Sequence, residues 1–396
     1  MTGMRGAARG LVGALVALIL VAAAGCGSSN DDNKGSNSTN STAGAATTGG
    51  DTSSSTSLAA DYKGTFGAFP TAAPKPKAGV RVWVISLNEA SPGVHSATLG
   101  IVDGAKALGW QTRVVDTKGA PDAATAGIKQ AAAAKADVIV LNVVECGVVE
   151  SAAKQAKAAG IKLVAMNAAD CDAPNVKHQA IFDAAEGFTP GGWYPFLRQL
   201  GKIRARWAAS QLADAPGKVL VLHQTDNNGL GVLDQTFTAG VEQGCPKCEV
   251  VNVPFVYSDL NTQLKGKVQA ALVKHPDAKV MVFPYDATLA LGGAAAIQGS
   301  GQAGKLKVLG GECAASTVDL IYAGTVTACV GTPYNWVGWQ VVDDVNRILD
   351  GEPQAQPSVG MQLVDKDHNL PPRGTDYTGP GTDYAGAYKK IWAAAE

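Results

Sequence analysis

The polar segment from Ser86 to His95 carries the first side chains able to bind a ligand. It holds hydroxyl, amide, carboxylate and imidazole groups, and it follows an apolar, β-branched run, residues 80–85. Such a run predicts a strand that is buried on both faces. In an open α/β sheet, ligands bind just beyond the carboxyl ends of the strands. We therefore expect residues 86–95 to line a binding crevice.

Residue patterns for catalysis or for metal binding are weak. The histidines at 95, 178, 223, 275 and 368 lack metal-ligand spacing, and neither a GxSxG elbow nor a GxxxxGK[ST] phosphate loop occurs. Asp286 and Glu312 are able to form a carboxylate pair for acid–base chemistry, but ligand capture explains them without a reaction. The sequence favours a binding protein without metal or cofactor over an extracellular enzyme.

Seven cysteines separate into Cys26 and an even set of six. The six are Cys146, Cys171, Cys245, Cys248, Cys313 and Cys329. Outside the cytoplasm an even set indicates disulfides. The Cys245-Pro-Lys-Cys248 motif is alternatively a redox pair or half of a zinc site. It lacks the second ligand pair that zinc needs, so we favour a turn disulfide.

The first 25 residues have the pattern of an export signal. Arg5 and Arg9 precede an apolar run, residues 11–24, that is too short for a span of about 20 residues. Small residues directly before Cys26 resemble a bacterial lipoprotein box, which implies cleavage and lipidation of Cys26. The protein would then be anchored to the cell membrane on its extracytoplasmic face. An ordinary signal peptide with a chance cysteine is the alternative.

Residues 26–78 predict a tether and a linker. The stretch 27–60 is almost entirely small and polar, so it cannot bury enough surface to offset its ordering entropy, and we expect disorder. Residues 70–77 contain three prolines and mark the start of the folded part. Net charge is −1 and no large basic patch occurs, so we expect no nucleic-acid partner.

Strands and helices alternate twice along the remaining chain, which predicts an α/β protein with parallel sheets in two lobes. Strands are predicted at residues 80–86, 112–116, 137–142, 162–166, 218–223, 249–253, 279–283, 307–310 and 326–330. Helices are predicted at residues 97–108, 123–134, 148–159, 233–243, 259–274, 287–298, 316–323 and 336–349.

An ordered set of short motifs resembles the type I solute-binding proteins of ABC importers, in the ribose-binding branch. The motifs are Asp103-Gly104-Ala105, residues 136–141, residues 159–164, and Asp286 with Ala290-Leu291-Gly292 and Ala294. The resemblance implies two Rossmann-like lobes joined by a three-crossover hinge, closing on a ligand. The same fold occurs in lactose-repressor-type regulators. We expect no regulator here, because no helix-turn-helix precedes Val80 and an export signal does.

The resemblance also implies a division of the chain. Crossovers would fall near residues 184–192, 331–333 and 350–353. The lobes would then comprise residues 79–190 with 332–350, and residues 191–331 with 351–365, followed by a C-terminal extension, 366–396, that includes a short helix at 384–394. Within these lobes the implied disulfides are Cys146–Cys171, Cys245–Cys248 and Cys313–Cys329, because each pair would join neighbouring elements of one lobe.

Ligand contacts in the family lie at strand ends and crossovers. Carried over by position, they are Ser86, Asn88, His95, Asn167, Phe237, Tyr285, Asp286, Glu312 and Thr332. For two of them a role without ligand contact competes: Asp286 is equally a helix N-cap, and a loop residue without function is the alternative for His95. Glu312 is the strongest candidate, because it ends a strand in a small, apolar context.

Departures from the family pattern point to the kind of ligand. Ala168 and Phe237 stand where the family has arginines, so the charged forks that hold several sugar hydroxyls are missing. Tyr257, Tyr285 and Trp336 add aromatic surface, although Trp336 also fits a core position. We expect a sugar-like ligand or a larger, more apolar one, with an amine or hydroxyl that meets Glu312 and Asp286.

An aromatic segment, residues 187–196, is longer than the family's first crossover. Trp193 and Tyr194 within it either stack on ligand from a loop over the cleft or pack against the lobes. Both readings stay open.

The sequence therefore predicts a monomeric, lipid-anchored receptor that captures a small molecule and presents it to a membrane permease. A receptor that hands its closed state to a membrane sensor is the alternative.

Overall fold

The computed structural model describes residues 57–172, 178–189 and 191–395. All of them belong to one compact unit, residues 54–396. The predicted signal peptide, Cys26 and most of the predicted tether lie outside the described residues. Within these ranges, no helix has both the length and the apolar character needed to cross a membrane.

The first lobe is built on a five-stranded parallel sheet with the strand order β2-β1-β3-β4-β5. Its central strands are rich in Val, Ile and Leu because helices cover both faces, and every residue of β3 is buried. The elements in chain order are α1 (Ala59–Lys63), β1 (Arg81–Ser86), α2 (Pro92–Ala107), β2 (Gln111–Asp116), α3 (Pro121–Ala133), β3 (Val138–Asn142), α4 (Cys146–Ala158), β4 (Lys162–Met166) and β5 (Ala184–Ala185).

The second lobe repeats the wind in a six-stranded sheet with the order β11-β10-β9-β8-β6-β7, in which only the edge strand β11 is antiparallel. The elements that follow β5 along the chain are α5 (Trp193–Gln211), β6 (Lys218–Gln224), α6 (Asn228–Gly244), β7 (Glu249–Phe255), α7 (Leu264–Lys274), β8 (Ala278–Val282), α8 (Asp286–Thr288), α9 (Ala294–Gly299), β9 (Lys307–Leu309), α10 (Ala315–Tyr322), β10 (Ala328–Gly331), α11 (Tyr334–Asp350), β11 (Gln362–Asp365) and α12 (Tyr384–Ala393). Of these, α11 and α12 pack on the first lobe.

These two sheets confirm the predicted fold class. Every predicted strand is present, with ends within two residues of the prediction. In each sheet the strand order reverses beside the first strand of the wind, β1 or β6. Such a reversal opens a crevice at the carboxyl ends of the strands, which is where ligands bind in open α/β sheets.

Helix α11 packs against α2 of the first lobe. The two backbones approach closely because glycines face the contact. A Cβ on Gly100 would lie 2.1 Å from the Asn335 carbonyl oxygen, and one on Gly338 would lie 2.5 Å from the Ile101 nitrogen. Any larger side chain at either position would push the helices apart.

Helix α5 was not predicted, and the reading of residues 187–196 as a loop is wrong for its second half. The helix begins at Trp193, directly after two glycines with positive φ, Gly191 and Gly192. Aromatic residues and a proline near its start mimic a loop composition, although Pro195 lies in the first turn, where no intrahelical N–H bond is lost. The predicted helix 287–298 is also interrupted, by a π-helical turn at Leu289–Gly293.

The segment from residue 57 to residue 79 corrects the predicted tether, because it is packed against the folded lobes. The Asp61 carboxylate, 4% exposed, forms a bidentate ion pair with Arg206 of α5. Tyr62 donates a hydrogen bond of 2.6 Å to Asp365. The packing of this segment was not predicted from the sequence, because the residues that anchor it are isolated among small and polar residues.

Trp336 of α11 is the point where the chain's two outer segments meet. Its side chain is buried and stacks on Phe69 from the N-terminal segment, with ring centroids 4.7 Å apart, and on Tyr384 of α12, at 5.7 Å. The predicted C-terminal helix is therefore present, and Trp336 is a core residue. The N-terminal segment, residues 57–79, and α12 therefore both pack against the start of α11.

This packing makes a stability prediction. Phe69→Ala removes a ring that stacks on Trp336 and meets Tyr388 edge-on, so the free energy of unfolding should fall by about 2 kcal/mol. Val273→Ala is the control, because Val273 is 81% exposed and should change that energy by less than about 0.5 kcal/mol. Urea denaturation measures both. Equal stability of the two variants would contradict a stabilising role for the packing of Phe69 on Trp336.

Candidate ligand-binding cleft

A cavity lies between the two lobes, where the carboxyl ends of both sheets meet. It contains about 860 Å³ of non-atom space, part of it open to solvent. Most of its lining is apolar or aromatic. The lining residues are Leu87, Ser91, Gly93, Val94, Val143, Asn167, Trp193, Phe196, Leu197, Leu200, Gln224, Asn227, Leu230, Leu233, Tyr257, Leu260, Pro284, Tyr285, Glu312 and Tyr334.

The wall from the first lobe follows the ends of β1, β3 and β4. Leu87 comes directly after β1, Val143 after β3 and Asn167 after β4. Asn167 is 6% exposed, and its side-chain oxygen has no hydrogen-bond partner among the described residues. A buried amide oxygen without a donor is unfavourable, so Asn167 presents an unmet acceptor at the cavity wall.

The wall from the second lobe holds a hydrogen-bonded polar chain. Tyr285 donates to the Gln224 side-chain oxygen over 2.6 Å, and the Gln224 amide donates to Asp226 over 2.8 Å. Asp226 in turn accepts from the backbone N–H of Tyr257. This chain fixes both tyrosine rings against the cavity, because each hydroxyl or backbone group has a defined partner.

Glu312 supplies the carboxyl group of the cavity lining. Its Oε2 accepts a hydrogen bond of 2.8 Å from the Asp286 N–H, which leaves Oε1 for a ligand. Burial, together with the charge of the neighbouring Asp286, raises the pKa of Glu312 to about 8. Glu312 is therefore mostly protonated near neutral pH when the cavity is empty.

Asp286 has a structural role beneath this wall. The residue is fully buried, and its carboxylate accepts hydrogen bonds from the Gly311 N–H, the Ala314 N–H and the Thr317 hydroxyl. These bonds hold the loop after β9, which carries Glu312. The oxygens of Asp286 are occupied by these donors, and the N-cap of α8 is Tyr285.

Arg204 of α5 lies behind the same wall. Its guanidinium is buried and donates to the carbonyl oxygens of Phe283 and Pro284, the latter over 2.9 Å. Burial lowers the pKa of Arg204, while Glu312, Asp234 and Asp286 oppose that shift. One guanidinium thus compensates several carboxyl groups without reaching the cavity lining.

The remaining wall comes from α5 and the start of α11. Trp193 stacks on Phe196, with ring centroids 5.8 Å apart, and Phe196 stacks on Phe188 at 3.9 Å. Trp193 therefore packs against its own segment and also lines the cavity, so the packing alternative is present and stacking on a ligand stays a prediction. Tyr334 closes the wall beside Glu312.

Strained backbone surrounds the cleft. Val143, Asn167 and Cys313 have φ values of 60°, 53° and 66°, a region that residues other than glycine rarely adopt. For a β-branched residue such as Val143 this is an outlier. Strain of this kind persists only where surrounding structure enforces it, and it concentrates at functional sites.

One of the three predicted disulfides includes the strained residue Cys313, and a second lies within four residues of Val143 and Asn167. Cys146–Cys171 joins the start of α4 to the loop after β4, and Cys313–Cys329 joins the loop carrying Glu312 to β10. Cys245–Cys248 forms a turn between α6 and β7, away from the cleft. The structure contains all three pairs that were expected.

The structure brings five of the predicted site residues to the cavity: Asn167, Trp193, Tyr257, Tyr285 and Glu312. Asn88 lies next to them, and its amide donates to the Tyr257 hydroxyl over 3.1 Å, across the cleft.

Other predicted residues are placed elsewhere. Ser86 and Thr332 are buried beside the cleft without lining it. Phe237 is 1% exposed in the core, because the inward face of α6 packs on α5. His95 is an exposed partner of Glu89, and Tyr194 lines a neighbouring hollow with Arg198 and His223.

Several lining residues escaped sequence reasoning. Gln224 is the last residue of β6, so the rule that placed Ser86 at a strand end would have found it. Tyr334 follows the second crossover directly. Phe196, Leu197 and Leu200 lie on α5, and without that helix no periodicity indicated which of its faces meets the cleft.

Solved structures with the same fold are numerous, and three show its range. A solute-binding protein of an ABC transporter from Burkholderia graminis, in complex with D-arabinose, has a TM-score of 0.61 and 21% identity over 74% of this chain and 97% of its own. GanP, a glucose-galactose binding protein from Geobacillus stearothermophilus, has a TM-score of 0.63 and 17% identity over 75% and 100%. A protein from Mycobacterium smegmatis in complex with β-D-fucofuranose has a TM-score of 0.60 and 18% identity over 73% and 92%.

No curated protein matches the chain by sequence. A family match, however, extends from residue 84 to residue 353, from within β1 to just beyond α11, and its description is periplasmic binding protein domain. The match includes both sheets except β11, as well as the walls of the cleft. This chain therefore belongs to the periplasmic binding protein domain family and has its type I fold.

Proposed function

We propose that this chain is the extracytoplasmic binding component of an ABC importer, which captures a small molecule between its lobes and delivers it to a membrane permease. The observation that carries the proposal is the cavity at the carboxyl ends of both sheets. The cavity is lined by both lobes, and a few polar groups interrupt an apolar lining, as in small-molecule sites. Its shape and chemistry fit capture rather than catalysis.

Contacts across the cleft explain how a ligand would favour closure. Asn88 of the first lobe bonds Tyr257 of the second, and Gly119 packs so closely on the Tyr257 ring that a Cβ would lie 2.2 Å from it. The Glu145 carboxylate accepts from the Gly229 N–H, also across the cleft. A ligand that touches both walls adds to these contacts only in the closed form, and so shifts the population towards it.

The cavity lining argues for a ligand that is less polar than a plain sugar. The similar structures include complexes with D-arabinose and β-D-fucofuranose. Among the described lining residues of this chain there is no arginine or lysine, the side chains that bind several hydroxyls at once. The polar groups Asn167, Gln224 and Glu312 suit a few hydrogen bonds, and the aromatic rings suit an apolar body.

Attachment to the membrane completes the proposal. Small residues before Cys26 support lipidation there, on the extracytoplasmic face. A lipid chain at Cys26 would keep the binding lobes near the permease. The effective concentration of the binding lobes at the permease would therefore rise.

A ligand screen tests the binding function. Sugars, polyols, amines, amino acids and aromatic acids are tested for a thermal shift with protein beginning at residue 57. A ligand at 100 times its dissociation constant should stabilise the fold by about 2.7 kcal/mol. Tyr285→Ala should abolish the shift, because the ring lines the cavity and positions Gln224. Tyr322→Ala, at an exposed tyrosine of α10, should retain it. An unchanged shift in Tyr285→Ala would remove Tyr285 from the site.

Cell fractionation tests the anchor. Full-length Cys26→Ser should move from the membrane fraction to the soluble extracytoplasmic fraction, because the thiol that accepts the lipid is gone. Ser29→Ala, three residues further on, should stay with the membrane. The anchor is contradicted if Cys26→Ser and Ser29→Ala fractionate alike.

A further inference from the structure

The charge of the cleft is one-sided. Among the described residues that line the cavity, Glu312 is the sole carboxylate, and no lysine, arginine or histidine accompanies it. Arg204 lies nearby, but its NH1 and NH2 groups are committed to the carbonyl oxygens of Phe283 and Pro284. The charge of Arg204 acts on Glu312 from behind the wall, but no cation faces Glu312 from the cavity side among the described residues. A buried carboxylate without a direct ion pair is costly.

Aromatic rings surround this carboxyl group. Tyr285 and Tyr334 lie close enough to Glu312 that its charge contributes to raising the pKa of each, although burial is the larger cause. Tyr257, Trp193 and Phe196 complete the aromatic part of the lining. Ring faces attract an organic cation, and the attraction is stronger when water is excluded.

We propose that the ligand is an organic ammonium compound, whose positive group pairs with Glu312 and whose apolar body lies among the aromatic rings. The inference rests on the proposed function and specifies its substrate class. It separates this cleft from one built for a neutral sugar, in which many hydroxyls would need polar partners. Here an ammonium group supplies the missing countercharge, and the carbon skeleton replaces water on apolar surface.

Proton release on binding is a consequence of this pairing. The empty site holds Glu312 mostly protonated, since burial raises its pKa to about 8. A bound ammonium group favours the carboxylate and expels that proton. Ammonium affinity should therefore rise about tenfold from pH 6 to pH 7 and level off above about pH 8, because the ionised fraction grows over that range.

The other groups that face Glu312 are not expected to produce this pH dependence of ammonium affinity. Burial raises the pKa of Tyr285 and Tyr334 well above 10, so both stay neutral. Arg204 stays charged. Burial raises the pKa of Asp286, and its three donors and Arg204 oppose that shift by favouring the ionised form. Gly93, across the cleft, carries no charge.

Matched pairs of cationic and neutral compounds test the proposal by calorimetric titration. The pairs are 2-phenylethylamine with 2-phenylethanol, and choline with 3,3-dimethylbutanol, alongside D-arabinose. At least one ammonium compound should bind ten times more tightly than its neutral partner and show the pH dependence above. If neither does, the proposal is overturned. Binding of D-arabinose or another neutral solute would then leave the proposed function standing, whereas failure of every compound in the wider screen would remove both.

Two glutamine variants locate the effect. Glu312→Gln keeps an acceptor for the Asp286 N–H but loses the charge, so ammonium affinity should fall at least tenfold and lose its pH dependence, while the neutral partner binds as before. Glu186→Gln is the matched control. Glu186 is also buried, burial raises its pKa to about 8, and it does not line the cavity. Glu186→Gln should keep the pH dependence. An ammonium preference that survives in Glu312→Gln, or that both variants lose alike, contradicts the pairing.

Discussion

Burial of a carboxyl group in an apolar cleft is the constraint on which this site depends. One oxygen of Glu312 accepts from the Asp286 N–H, and the cavity around Glu312 is lined mostly by aromatic rings and aliphatic side chains. The cost of that burial appears in its pKa, which burial raises to about 8. The fold tolerates the cost because Asp286 holds the loop with three hydrogen bonds and Cys313–Cys329 joins it to β10. A ligand that gives Glu312 a partner would remove the cost of its burial and would bind more tightly for that reason.

The backbone around the cleft is likewise held in an unfavourable state by the structure around it. Val143, Asn167 and Cys313 adopt positive φ values at the ends of strands from both sheets. Each lies next to a disulfide or to a buried strand that prevents relaxation. A site whose side chains are already oriented loses less conformational entropy on binding, which raises affinity without new contacts. The closing of the lobes can then be a movement about the crossovers rather than a rearrangement of the walls.

The fold and part of the site could be predicted from the sequence. Buried strands such as β1 and β3 are continuous apolar runs bounded by polar residues, and they are recognisable without tertiary information. Residues at strand ends, such as Asn167 and Glu312, followed from them. Phe237 was misplaced because a helix face cannot be assigned until its neighbour is known, and that neighbour, α5, was hidden by an aromatic, proline-containing start. The segment containing Asp61 and Phe69 was missed because it is held by long-range contacts to Arg206 and Trp336, which no local pattern reveals.

The central claim is that a ligand draws the two lobes together. The most direct measurement is the distance between spin labels at Val148→Cys in α4 and Val273→Cys in α7, both exposed and on opposite lobes, in protein beginning at residue 57. Pulsed electron resonance with and without a saturating ligand records the distribution of that distance. The account predicts a shorter mean distance and a narrower distribution when the ligand is bound. An identical distribution in the two samples would contradict it.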